Sequence, residues 1–276
     1  MDQRVDTVQG LWIGESLSPV EQLCIRSFLA NGHDFHLYTY QPLKGVPPGT
    51  VLRDANKILP ESSIFTYQTG ASLGSVAGFS NWFRYELLHR RGGWWADLDM
   101  VCLRKFPEYG VLFFAKEWKE RRSASRLRQF VADRLCKQRE APYLRPRLLC
   151  QQKPCSGLIY SPPEHPFLAE IRDRAASMSQ SPEKLEWGAT GPRLIERQVT
   201  RWRWKGTFKL GNANDFLPFS FREIDLLFDP EVRFDISKCF ALHLYNEIWR
   251  RRGIDKHQKF ATGCLLESLM SRFGVR

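Results

Sequence analysis

The chain has 276 residues, of which 43% are hydrophobic and 26% charged, the composition of an ordinary globular protein with material for a core. It holds no run of about 18 apolar residues, which excludes a spanning helix. Its net charge of +11, from 41 Lys and Arg against 30 Asp and Glu, favours an anionic partner. Nucleic acid, an acidic membrane surface and a phosphorylated small molecule all qualify.

The opening MDQRVDTVQG lacks an apolar h-region, and no signal peptide is expected. Seven cysteines (24, 102, 136, 150, 155, 239 and 264) are scattered without a CxxC pair. The spacing therefore indicates neither a zinc site nor a disulfide framework, and reduced packing cysteines in a cytoplasmic protein are expected.

Val5, Val8, Leu11, Trp12 and Ile13 read as a strand ending at Gly14. Ser18, Pro19 and Glu21 then form a helix start with a capping box, and Gly32 a stop. DFHLYTY (34–40) alternates like a strand, and GVPPGT (45–50) is a loop. Strand, helix and strand within 40 residues open a βαβ unit, so a mostly parallel sheet is expected. Val76, Phe79, Phe83 and Leu87 predict a helix over 74–91, closed by Gly92 and Gly93. Trp94, Trp95 and Ala96 follow as a short strand buried on both faces, with Asp97 and Asp99 at its carboxyl end. Ligands of open α/β sheets bind at such strand ends.

Residues 116–153 carry twelve Lys and Arg against four acids, a net of +8. They read as an inserted, solvated helical flap, with a helix from Ser123 to Gln138. Further helices are expected in HPFLAEIRDRAASM, in GATGPRLIERQVTRW after its loop and at the C-terminus, and strands in PCSGLIY (154–160) and CFALHLY. The whole, 1–276, reads as one α/β domain.

An Asp-x-Asp at a strand end splays two carboxylates into one crevice. Hard divalent cations, Mn2+ or Mg2+, take such oxygen ligands together with substrate phosphates. Three chemistries use the pair. A HAD-type phosphatase employs DxDx[TV], which DLDMV nearly matches, with Asp97 as nucleophile and Asp99 as acid/base. Its acidic metal motif has only Asp225 and Asp229 to draw on, without the preceding Gly. A nucleotidyltransferase needs Gly-Ser about ten residues before its Asp pair, and Gly74-Ser75 lies too far away. The third chemistry is sugar transfer from a nucleotide sugar. A non-catalytic membrane- or anion-binding module is the remaining reading of the basic segment. No RNA or DNA motif accompanies it, and no nucleic-acid partner is expected.

The stretch FSNWFRYELLHRRGGWWADLDMVCLRKF (79–106) resembles the core of the DXD-containing glycosyltransferase family of α-1,4-sugar transferases and yeast initiating mannosyltransferases. It is more distantly similar to the clostridial glucosylating toxins. The family pattern is roughly S-D-x-x-R-Y-x-x-L-x-x-x-G-G-x-Y-x-D-x-D. The similarity extends to 11–40, 188–195 and 243–251, leaving out the basic segment. It implies a GT-A-like fold: a Rossmann-type, mostly parallel sheet flanked by helices, here with a basic helical insertion. It also implies a metal-dependent, retaining hexosyltransferase. The donor would be a UDP- or GDP-sugar and the acceptor a glycan, lipid-linked or phosphorylated. For such a transferase the cationic segment 116–153 suits peripheral contact at the anionic inner face of the membrane, in keeping with the cytoplasmic location expected from the cysteines.

By the same resemblance, Asp97 and Asp99 bind metal, ribose and diphosphate, and Arg84 contacts the donor. Asn81 stands where the family usually has Asp. Asn81 and Arg84, at i and i+3, share a helix face. Trp12 is placed to stack on the base. Thr190, Gly191 and Pro192 form a helix N-terminus suited to an anion or sugar hydroxyl. His243 and Asn246 complete the metal site, and Trp249 walls it. No residue is assigned as nucleophile.

Overall fold

The structure, a computed structural model, describes residues 7–121 and 149–275. The chain opens on β1 (Val8–Trp12), α1 (Pro19–Ala30) and β2 (Phe35–Thr39). α1 begins as its sequence predicts: the Ser18 hydroxyl accepts the Val20 N–H, while the Glu21 carboxylate accepts the Ser18 N–H at 3.0 Å. Asn31 caps the other end, and Gly32, at φ +76°, reverses the chain where a side chain would be strained. We expect Ser18→Ala to cost about 1 kcal/mol in urea unfolding, the usual worth of such a cap.

β2 pairs parallel with β1 and β3 (Val51–Asp54) parallel with β2. Residues 35–38 of β2 are all buried, so the alternation in its sequence does not divide a wet face from a dry one. Its position between two strands, covered on both sides, is the reason. The exposed edge strand β3 carries no periodicity that would have announced it.

α2 (Ala77–Arg91) starts three residues later than its apolar spacing suggests, because Gly74 and Ser75 are tied into a turn with Tyr67. Gly92, at φ +64°, ends it, and β4 (Gly93–Ala96) follows at once, fully buried. Successive side chains of a strand point to opposite faces. Trp94 therefore joins the core on one side of the sheet, with Phe28, Phe35 and Phe113. Trp95 joins the other, with Phe83, Phe114 and Phe167. Each indole buries enough apolar surface to contribute roughly 4–6 kcal/mol, which fixes β4 and the acidic turn after it.

The short β5 (Met100–Cys102) leaves the main sheet to pair antiparallel with β9 (Ala241–His243). β6 (Leu112–Glu120) and β7 (Cys150–Ser161) form a long antiparallel pair, and β8 (Phe208–Leu210) lies parallel to β6. The sheet order is β3-β2-β1-β4-β7-β6-β8, with β7 alone running against the rest. This is the Rossmann-type, mostly parallel sheet flanked by helices that the sequence predicts. Helices Pro166–Ser179, Pro192–Trp202, Asn246–Arg252 and Leu265–Arg272 also fall where expected. The last two pack over a third core containing Val101, Leu242 and Trp249.

The basic segment 116–153 is corrected at both ends. Residues 116–120 and 150–153 are strand, not solvated helix, because they complete the β6–β7 ladder. The helix expected from Ser123 to Gln138 lies outside the described residues. No helix among those described is long and apolar enough to cross a membrane. The six described cysteines are all buried and free.

Candidate functional site

Asp97 and Asp99 sit in the turn between β4 and β5, at the edge of a cavity of about 940 Å³. That volume suits a ligand the size of a dinucleotide or a nucleotide sugar. Trp12, Asn81, Arg84, Asp97, Asp99, Pro192, His243 and Asn246, all singled out from sequence, line it. Thr190, Gly191 and Trp249 do not.

The two aspartates play different parts. The Asp97 N–H donates to the Gly157 carbonyl at 2.9 Å, which locks the turn against β7. Its Oδ1 accepts the Trp95 indole N–H at 2.8 Å and pairs with Arg84 Nη2 at 3.0 Å. Arg84, 3% exposed, also donates to the Ser156 carbonyl and lies over the Trp95 ring. It is a buried ion-pair partner. Burial raises the Asp97 pKa, against the pull of the Arg84 charge, and the neighbouring Asp99 adds to the rise.

Asp99 Oδ2 accepts the Asn246 backbone N–H at 2.9 Å and meets His243 Nε2 at 3.2 Å. Its Oδ1 is buried with no partner, and so are Asn246 Oδ1 and His243 Nδ1. Burial works to raise the Asp99 pKa, but the charge and hydrogen bond of His243 and the Asn246 N–H outweigh it, leaving the carboxyl below its ordinary value. His243 is driven the opposite way: burial lowers its pKa, and Asp99 more than restores it, so the imidazole is raised. Tyr245 sits at φ +56°, a left-handed conformation rare for a bulky residue, and this turn aims the Asn246 N–H at Asp99. Such strain persists where the surroundings over-determine it; here the Tyr245 hydroxyl is tied to the Phe219 carbonyl at 2.9 Å.

The α1 cap is part of the same assembly. The Glu21 side chain, which closes the capping box, also accepts Asn246 Nδ2 at 3.0 Å and the Lys256 ammonium. Lys256 lies 5.9 Å from the Trp12 ring centre, placing a cation beside the aromatic at the cavity.

Three sequence expectations change. Thr190 is fully buried and tethers the 188–192 loop to α2: its hydroxyl donates to the Gly78 carbonyl and accepts from Asn81 Nδ2 at 3.3 Å. The N–H groups of Gly191 and Arg193 are taken by the Gly188 carbonyl, so they are not free for an anion. Gly191 has another use, since a Cβ there would lie 2.7 Å from Asn81 Nδ2. Trp249 is a core residue, its indole N–H donating to the Leu244 carbonyl at 2.7 Å.

Sequence reading missed the contribution of β7. Phe114 pairs with Ile159 and Lys116 with Pro154, so a single residue of β6 faces four of β7. The excess bulges Cys155, Ser156 and Gly157 toward the cavity. Only glycine fits at 157, because a Cβ would lie 2.6 Å from Met100 Cε and 2.9 Å from Asp97 Oδ2. Glu117 and Lys119 of β6 reach the same wall and pair at 3.1 Å. A glycine inside the strand pattern was the one available signal.

Asp99 Oδ1 and Asn246 Oδ1 are the oxygen donors a hard divalent cation takes. Both are buried, unpartnered and held on a rigid frame, so the residues present fit Mn2+ or Mg2+.

No protein-family model matches the chain, and no curated protein does either. Two of the solved structures similar to the chain are glycosyltransferases. One is the PaToxG glycosyltransferase, at 13% identity and a TM-score of 0.47 over 98% of this chain and 87% of that one. Another is GlyE of Streptococcus pneumoniae TIGR4, at 11% identity and a TM-score of 0.46 over 97% of this chain and 60% of that one. These values describe a distant likeness of shape, and the functional reading rests on the site.

Proposed function

We propose that the chain is a metal-dependent glycosyltransferase that moves a sugar from a nucleoside diphosphate donor to a glycan acceptor, lipid-linked or phosphorylated, with retention. The observation that carries this reading is that Asp99 Oδ1 and Asn246 Oδ1, on residues joined by the Asn246 N–H to Asp99 Oδ2 hydrogen bond, are both buried without a partner at a cavity of nucleotide-sugar size. Leaving a buried polar group unsatisfied costs about 1–3 kcal/mol, and more for a charge. A bound cation removes that cost.

Asp99, Asn246 and His243 would hold the ion, which when bound offsets charge on the departing diphosphate. Trp12 offers its face to the base, and Lys256 beside it faces the phosphates. Arg84 holds Asp97 in place, and Asp97 in turn accepts hydroxyls of the ribose or sugar through its less engaged Oδ2. Asn81, on the same face of α2, lies in line for the sugar. Positioning and electrostatics of this kind supply most of the rate gain when the leaving group is already activated.

The phosphatase alternative fares worse on geometry. Its nucleophile would be Asp97, whose carboxylate is already taken by Trp95 and Arg84. Asp225 pairs with Arg252, and neither Asp225 nor Asp229 lines the cavity.

Calorimetric titration of UDP and GDP, with and without Mn2+, tests the proposal. Micromolar binding of one nucleotide that depends on the metal is expected. Binding of neither, together with release of phosphate from an aryl phosphate, would overturn it in favour of the phosphatase.

A further inference from the structure

The scattered cysteines and absent CxxC pair give no hint of a soft-metal site, yet the fold assembles one. Glu117 on β6, Cys155 at the β7 bulge and His243 at the end of β9 each bring one ligand atom within 4.8 Å of the others. They are 38 and 88 residues apart in the chain. All three line the wall of the cavity. We propose that Glu117, Cys155 and His243 form a three-ligand site for Zn2+, distinct in ligand chemistry from the oxygen-rich Asp99 site and sharing only His243 with it.

Several features support this. Thiolate, imidazole and carboxylate are the zinc donor set, and a thiolate discriminates against Mn2+ and Mg2+. Three protein ligands with a fourth position open to a cavity is the arrangement of exchangeable zinc sites. Ligand atoms on one tetrahedral zinc lie roughly 3.3–3.8 Å apart, given bonds of about 2.0–2.3 Å. The separations, all within 4.8 Å, therefore need to close by no more than about 1.5 Å. The Gly157 N–H donates to Cys155 Sγ at 3.2 Å, which fixes the sulfur's direction. His243 keeps a buried ring nitrogen, Nδ1, without a partner. On binding, the Cys155 thiol gives its proton to solvent and the sulfur forms the bond to zinc.

The consequence is competition. His243 now rests against Asp99 at 3.2 Å, and zinc bound through Cys155 would draw the imidazole to the other wall. Zn2+ then opposes any cation held by Asp99, Asn246 and His243, by withdrawing the one ligand the two sites share. The site itself does not depend on the nucleotide-sugar reading, and the first measurement contains no nucleotide.

Co2+ serves as the probe, because a cobalt–thiolate bond gives a near-ultraviolet charge-transfer band that oxygen and nitrogen ligands do not. Titration of the full chain with Co2+ should develop this band to one equivalent, and Zn2+ should bleach it. Cys155→Ser should abolish it, Glu117→Gln should weaken Co2+ binding tenfold or more, about 1.4 kcal/mol, and Cys150→Ser should leave it intact. Absence of a thiolate band in the wild-type protein, or its survival in Cys155→Ser, would overturn the assignment. Should Cys155→Ser fail to fold, judged by circular dichroism, Glu117→Gln decides: unchanged Co2+ affinity there refutes the site. A second arm adds UDP or GDP. Zn2+ should weaken Mn2+-supported nucleotide binding in the wild type and not in Cys155→Ser. A cobalt band without any nucleotide binding leaves the zinc site standing and refutes the transferase.

Discussion

Asp99→Asn is expected to abolish the proposed metal-supported nucleotide binding while leaving the fold in place. The amide is nearly the same size as the carboxylate, but its orientation is not free. The Asn246 N–H, now bonded to Asp99 Oδ2 at 2.9 Å, demands an acceptor. The new amide must turn its oxygen there, which sets its NH2 group at the place of the present Oδ1. Two N–H donors then face the position where a cation would bind. Loss of an outer-shell partner costs metal sites about 10- to 100-fold in affinity, so replacing a ligand by a donor should cost more than about 100-fold. Calorimetry with Mn2+ and the nucleotide measures this directly. Retained affinity would show that the cation, if any, is held elsewhere. The same substitution should lower the His243 pKa, since Asp99 is what lifts it against burial. An NMR titration of the imidazole reports that shift without any ligand present.

Arg84→Met should destabilise the protein by about 3 kcal/mol, the lower end for breaking a buried ion pair on one side. The lower end applies because the Asp97 side chain keeps 28% of its exposure, toward the cavity. Methionine preserves much of the packing over Trp95, so the loss falls on the Asp97 carboxylate and on the Ser156 carbonyl, which both lose their donor. The effect should depend on pH in a defined sense. Burial already raises the Asp97 pKa with Arg84 present, and removal of the cation raises it further. A group raised in the folded state adds stability below its unfolded pKa and loses it as pH climbs through the folded value. The deficit of Arg84→Met should therefore be smallest near pH 4 and grow toward neutrality. Asp97→Asn in the same chain should recover much of it at pH 7, because a neutral amide needs no counter-charge. Urea unfolding at several pH values checks both points. A deficit that is constant with pH and unrelieved in the double variant would assign the role of Arg84 to packing alone.

Local chemistry made much of this molecule legible in its sequence. The capping box of α1 lies within four residues, Ser18 to Glu21, and the structure forms it as written. The apolar spacing of α2, the Gly92 stop and the Trp94–Trp95 run placed Asp97 and Asp99 at a strand end, where they are found. Eight candidate site residues named from sequence line one cavity, because the strand ends and helix faces that carry them are set by periodicities of two and 3.6.

What the sequence could not determine are the contacts made across long separations, which leave no local pattern. That Glu21 would anchor both Asn246 and Lys256 as well as cap its own helix depends on residues 225 and 235 positions away. That Arg84 would be buried against Asp97 depends on both ends of α2 and β4 being packed into the sheet. Thr190, Gly191 and Trp249 look like site residues by position, but their hydrogen bonds or close packing are spent on joining elements. The bulge of β7, which sets Cys155 beside Glu117 and His243, exists only because β6 and β7 pair out of step around Ala115. Register is a property of two strands together, so neither strand's residues specify it alone. The sequence by itself determined which elements form and which end of the sheet bears the acidic pair. The tertiary structure decided which carboxylate is paired with an arginine and which keeps one buried oxygen without a partner.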